Sequence, residues 1–217
     1  MNRLCCNRRV TENPQTRIAR RFPRLYHYSP LINRGQIERF RAVFCAELIR
    51  TLAPTPPALG RREKRQPVET ALGSFTLNDQ AALNWGNVKH PRSLGEAAFI
   101  ELLDQFAFFW PGDHKGPIKM GRNFVGRYIN RGDALLQVTI PTEAFLQANA
   151  SVRLFVSTCN SGATRSNQKA LIYRGTETFV PLGAFAGPTS KIKEVAVLGF
   201  ARLPVCQISC LTGAAQQ

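Results

Sequence analysis

Three short stretches carry residue types that could bind or transform a small molecule. The first is Tyr26-His27-Tyr28-Ser29, with Asn33 close behind it. An imidazole can hydrogen-bond a ribose hydroxyl, and flanking tyrosines can stack on a flat ring. The competing role for His27 is a ring satisfied by a backbone carbonyl, which on its own is the commoner outcome. The second stretch is Phe108-Phe109-Trp110-Pro111-Gly112, followed by Gly116-Pro117 and Gly121-Arg122. An aromatic strand entering a Gly/Pro turn, with arginine near the start of a following helix, could make a wall with a phosphate-binding corner. Core packing accounts for Phe108 and Phe109 equally well; Trp110 and Arg122 are the less ordinary members. The third is Glu177, within Gly175-Thr176-Glu177-Thr178-Phe179-Val180-Pro181. A carboxylate at a strand edge can accept a ribose hydroxyl bond and offset positive charge developing on the sugar. A solvent-exposed glutamate is the plainer alternative.

These residues need elements to hold them. LYHY (25–28) has the look of a short strand closed by Ser29-Pro30. From Leu31 to Leu52, Ile37, Phe40, Phe44 and Leu48 recur at helical spacing, with Arg34, Arg39, Arg41 and Arg50 interleaved; this predicts one basic amphipathic helix ended by Pro54, Pro56 and Pro57. Residues 53–67 are expected to be an exposed loop bearing Arg61, Arg62, Lys64 and Arg65. SFTLNDQ (74–80) reads as a strand with a turn, 94–106 as a helix, and FAFFW (106–110) as a buried strand. ALLQVTI (134–140), VRLFVS (152–157), TFVP (178–181) and EVAVLGF (194–200) add strands, with a short proline-initiated helix over 141–149 and a polar loop over 160–168. The expected fold class is therefore α+β, a mixed and mostly antiparallel sheet with flanking helices. The expected organisation is a flexible basic arm over 1–24, a single domain over 25–205 and a tail over 206–217.

Charge is the main global feature. The 217 residues carry 29 Lys+Arg against 14 Asp+Glu, a net charge of +15, and residues 1–66 hold fifteen of the basic and only four of the acidic ones. Such a basic end attracts phosphate-rich partners, DNA or RNA among them, or simply keeps the arm solvated. No run approaches the roughly 18 apolar residues of a membrane span, and the basic start leads into no apolar segment, so a cytoplasmic protein without a secretory signal is expected. The six cysteines form no CxxC pair, and no histidine stands near one at ligand spacing. Reduced, scattered thiols are expected, and no metal. Nucleotide-loop, zincin and serine-hydrolase motifs are lacking.

Taken in order, LYHYSPLIN (25–33), LNDQ (77–80), FFWPG (108–112), GPIKMGR (116–122), NSGATR (160–165) and TETFVP (176–181) resemble an uncharacterised bacterial domain-of-unknown-function family, over about residues 25–204. That family in turn looks like a distant relative of the DarT-type ADP-ribosyltransferases. Those enzymes open with a strand bearing a histidine and a nearby asparagine, and they place a catalytic glutamate before a late apolar strand. The resemblance implies an ADP-ribosyltransferase-like fold with NAD as substrate. His27 and Asn33 would help hold NAD, His27 serving catalysis as well, and Tyr28 or Trp110 would border the nicotinamide. Glu177 would be the catalytic acid, and Arg122, or one of Arg61, Arg62 and Arg65, would neutralise the pyrophosphate. The acceptor would be a macromolecule, with Arg39, Arg61, Arg62 and Arg65 available to nucleic acid. Two alternatives stand beside this one: a non-catalytic nucleic-acid-binding protein, and an NAD hydrolase using the same pocket with water as acceptor.

Overall fold

The computed structural model describes residues 12–58, 60–83, 85, 93–159 and 174–212. Its centre is an eight-stranded sheet of order β12-β7-β1-β5-β10-β8-β9, in which β8 is Leu154–Ser157 and β9 is Val180–Pro181, with β6 paired to β5, and every pairing between described strands is antiparallel. The strands that bear on function are β1 (Arg24–Pro30), β5 (Phe106–Asp113), β6 (Gly116–Pro117), β7 (Leu135–Pro141), β10 (Glu194–Leu198) and β12 (Gln207–Leu211). Two small two-stranded sheets lie apart: the hairpin of β3 (Gln66–Thr70) with β4 (Gly73–Leu77), and the long-range pair of β2 (Ala42–Phe44) with β11 (Phe200–Arg202). The molecule is α+β, as the alternation of strand and helix patterns predicts.

Period-two side chains sort the sheet into two faces. Leu25, Phe109, Val138 and Ile140 enter the larger core with Ile18 of α1 (Pro14–Arg21) and Phe145 of α6 (Thr142–Ala148). Their neighbours Tyr26, Tyr28 and Trp110 point into a second cluster, with Met120, Phe124 and Val125 of α5 (Lys119–Asn130) packed against it. Gly121 lets α5 sit this close: a Cβ there would lie 2.7 Å from Pro117 Cβ and 3.0 Å from Trp110 Cβ. The Gly112 position is tighter still, against the Gly116 carbonyl. The strings FFWPG and GPIKMGR thus encode a hairpin and a close helix–strand approach.

Several boundaries differ from the sequence expectation. The stretch expected as a flexible arm contains α1, started by Asn13, whose side chain accepts from Gln15 N at 2.9 Å, and by Pro14 at the first turn. Ile18 on this helix is fully buried, which ties residues 14–21 to the domain. The expected helix over 31–52 is broken into a 3-10 turn (Leu31–Asn33), α2 (Arg34–Phe40), β2 and α3 (Ala46–Thr51). Arg41 stops α2 in the left-handed region at φ 49°, and Ala42–Phe44 then pair with β11; sheet pairing outweighed the local helical period. The last two residues of the expected loop, Gln66 and Pro67, open β3, and the expected tail supplies β12 along β7. The polar loop expected over 160–168 lies outside the described residues.

Candidate functional site

β1 and β5 pair over three residues only, from Arg24↔Gly112 to Tyr26↔Trp110. Past that point β1 continues against β7 while β5 continues against β10, and the His27 side chain takes over the missing ladder contact, its Nδ1 lying 2.9 Å from the Phe108 carbonyl. A carbonyl only accepts, so Nδ1 carries the proton and Nε2 is left as an acceptor. Burial outweighs this bond and lowers the imidazole pKa to about 4, so His27 is neutral at physiological pH.

A cavity of about 290 Å³ opens here. One wall is aromatic: Tyr28 and Trp110 (ring centroids 5.7 Å apart), Phe124 against Trp110 at 4.6 Å, and Tyr128 against Phe124 at 4.7 Å. Trp110 Nε1 is buried without a hydrogen-bond partner among the described residues. Burial also raises the phenol pKa values of Tyr28 and Tyr128, keeping both hydroxyls protonated.

The other wall is a polar knot built on Asn78-Asp79-Gln80, immediately after β4. Arg62 meets Asp104 in a two-pronged bond at 2.7 and 2.8 Å and donates through Nε to the Asn78 carbonyl. Gln80 Nε2 donates to the same carboxylate at 3.1 Å, and Arg50 joins it at 3.2 Å. Asp104 sits at the end of α4 (Glu96–Asp104) with its side chain 2% exposed; the arginines facing it are 8% and 10% exposed. Two guanidiniums on one buried carboxylate leave local positive charge beside the cavity. Asp79 accepts from Arg131 at 3.0 Å, and Arg131 also lies over the Tyr128 ring. Glu194 of β10 is the third carboxylate in the lining and is buried.

The residues singled out in the sequence are therefore only partly brought together. His27, Tyr28, Trp110 and Arg62 line this cavity. Asn33 is buried and structural: its amide donates to Ser29 Oγ and the Thr76 carbonyl and accepts from Thr76 N at 2.7 Å, pinning β4 beside the end of β1. Arg122 is on the opposite flank of Tyr28, in a second cleft, where it donates to the Pro117 carbonyl at 2.7 Å. Glu177 stands exposed on a 3-10 turn (Thr176–Thr178), outside the lining of either cleft.

Of the arginines read as a nucleic-acid surface, Arg61 pairs with Glu63 and Glu96, and Arg65 pairs with Asp133 and covers the Tyr128 ring. Arg62 is held by Asp104. Arg39 alone of the four lies on an exposed helix face without an ion pair among the described residues; it stacks on Phe40 at 5.0 Å. Asp79, Gln80, Asp104 and Glu194 received no role from sequence reasoning. The signal for the first two was the string LNDQ, whose polar residues directly follow an apolar strand.

Among the described residues no three His, Cys, Asp or Glu side chains gather as metal ligands, and no helix is long and apolar enough to cross a membrane. Cys45 caps α3, its Sγ accepting from Leu48 N, and burial pushes its thiol up to about 11.

Fold and site together define an antiparallel α+β protein with an aromatic cavity at the splay of two central strands. The chain belongs to a family described as a family of unknown function (DUF7002), whose model matches residues 23–202. No curated protein and no solved structure matches it.

Proposed function

We propose that this protein handles a nucleotide, taking a base and its ribose into the central cavity, with NAD the first candidate and transfer of ADP-ribose to a macromolecule the reaction. The observation that carries this reading is the neutral His27 in the cavity lining, its ring against Phe109, with one ring nitrogen fixed on the Phe108 carbonyl and the other left to accept a hydroxyl, while Tyr28 and Trp110 supply aromatic surface to the same lining. Size sharpens it. Small-molecule pockets run from roughly 300 to 1,000 Å³, and a cavity of about 290 Å³ suits one nucleoside, leaving the rest of a dinucleotide towards solvent.

In this reading the carboxylate that steadies charge on the ribose is Glu194, which lines the cavity, in place of Glu177, which does not. Carboxylate stabilisation of an oxocarbenium-like sugar would then supply much of the acceleration. The nucleic-acid-binding alternative loses support from Arg61, Arg62 and Arg65, whose guanidiniums are committed within the molecule.

Calorimetry with NAD tests the binding step on wild type, His27→Gln and Glu177→Gln. Binding weakened by His27→Gln and unchanged by Glu177→Gln is the expected result; no binding to wild type at high protein concentration rejects the reading. With labelled NAD, Glu194→Gln is expected to abolish transfer while Glu177→Gln retains it, and the reverse pattern would return catalysis to Glu177.

A further inference from the structure

The second cleft has a different chemistry. Its floor is one face of three strands: register aligns Tyr26 with Thr139 and Tyr28 with Gln137, and Gln207 with Thr139 on the far side. Hydrogen bonds run along this floor from Tyr28 to Gln137 and on to Thr139. The α5 helix forms the side wall, with Ile129 towards one end, and the β5–β6 hairpin closes the other end. The volume is about 570 Å³, well inside the range of small-molecule pockets.

Three cations from three separate elements meet at the hairpin end. Arg24 opens β1 opposite Gly112, Lys115 sits in the two-residue turn between Asp113 and Gly116, and Arg122 is fixed by its bond to the carbonyl of Pro117, itself opposite Gly112. None of the three forms an ion pair among the described residues. His114 shares the turn. Among the described residues the lining contains no carboxylate; the acid on the hairpin, Asp113, accepts from Lys115 N through Oδ1. Positive groups aimed at one end of a polar cleft hold a phosphate through charge-assisted bonds. Arg122 stands here and outside the lining of the central cavity.

We infer that this cleft is an anion site for a small phosphorylated compound, its phosphate or diphosphate between Arg24, Lys115 and Arg122 and its neutral body along the Gln137–Thr139 floor. The inference stands apart from the reading of the central cavity, because pyrophosphate has no ring to enter that cavity and the two sites answer to different variants.

Calorimetry with inorganic pyrophosphate and with adenosine 5′-diphosphate, against adenosine as the neutral control, tests it. Both anions are expected to bind and adenosine not to compete with pyrophosphate. Lys115→Gln and Arg122→Gln, each at an exposed position, should weaken pyrophosphate roughly tenfold or more, the scale of one lost charge-assisted bond. Arg39→Gln removes the same charge elsewhere on the surface and should leave affinity unchanged. Failure of pyrophosphate to bind at millimolar concentration overturns the inference. So does equal weakening by Arg39→Gln, which would mark general attraction to a basic protein.

Discussion

His27 is both a strand-joining group and the most distinctive side chain of the cavity. Its two roles are compatible because they use different ring nitrogens: Nδ1–H holds the Phe108 carbonyl, and Nε2 remains an acceptor. The same burial makes it acid-sensitive. An unfolded chain takes up the imidazole proton near 6.5 and the folded chain only near 4, so the unfolded state binds more protons between these values. Stability from this group is therefore complete above about 6.5 and declines as pH falls towards 4, by on the order of 3 kcal/mol at most. Urea denaturation at pH 7 and pH 4.5 should show a larger loss for wild type than for His27→Gln, which keeps a donor for the carbonyl but does not titrate. Equal losses would place the acid sensitivity elsewhere. Asn33 shows another fate of a polar residue chosen from sequence: both amide protons go to Ser29 Oγ and the Thr76 carbonyl, and its Oδ1 accepts from Thr76 N, so the side chain serves to join β1 and β4.

The elements around the cavity are locked by the knot at Asp104, where the end of α4, the Arg62 loop, α3 and the segment after β4 share one carboxylate. Each group is cheap to bury only while the others are present, since an unpaired buried charge costs several kcal/mol. Asp104→Asn is expected to destabilise the fold by about 3–5 kcal/mol, because Arg50 and Arg62 both lose their counter-charge. Chemical denaturation measures this, and a change under about 1 kcal/mol would show that solvent reaches the arginines. Hairpin and helix are matched in the same way around Gly112 and Gly121. There a side chain would push β6 or α5 off β5 and disturb the wall that both clefts share through Tyr28.

Across the whole molecule, segments at the two ends of the chain complete the sheet and its core. Ile18 of α1 is fully buried in the larger cluster, so Ile18→Ala should cost about 2–5 kcal/mol, as large-to-small core changes do. A neutral substitution in urea melts would mean that α1 docks without bearing load. Much of this architecture was legible beforehand: β1, β5, β7 and β10 were marked by runs such as FAFFW and EVAVLGF, and α4 by its apolar period, because strand and helix patterns depend on neighbours in the chain. The break at Arg41 was not legible, since the pairing of Ala42–Phe44 with Phe200–Arg202 depends on residues over 150 positions away. Position in the site followed the same division. Residue type alone marked His27, Tyr28 and Trp110; Tyr28 and Trp110 share a sheet face and pack together, and His27, turned against Phe109, joins the same lining where the two strands splay. Glu177, Arg122 and Asn33 were equally plausible by type, and only strand order and register put them on an exposed turn outside the cavity lining, in another cleft and inside a structural bond network. Sequence determined composition, charge and the period of each element; the tertiary structure decided which polar groups share a space, because that depends on contacts between parts of the chain that carry no local mark of each other.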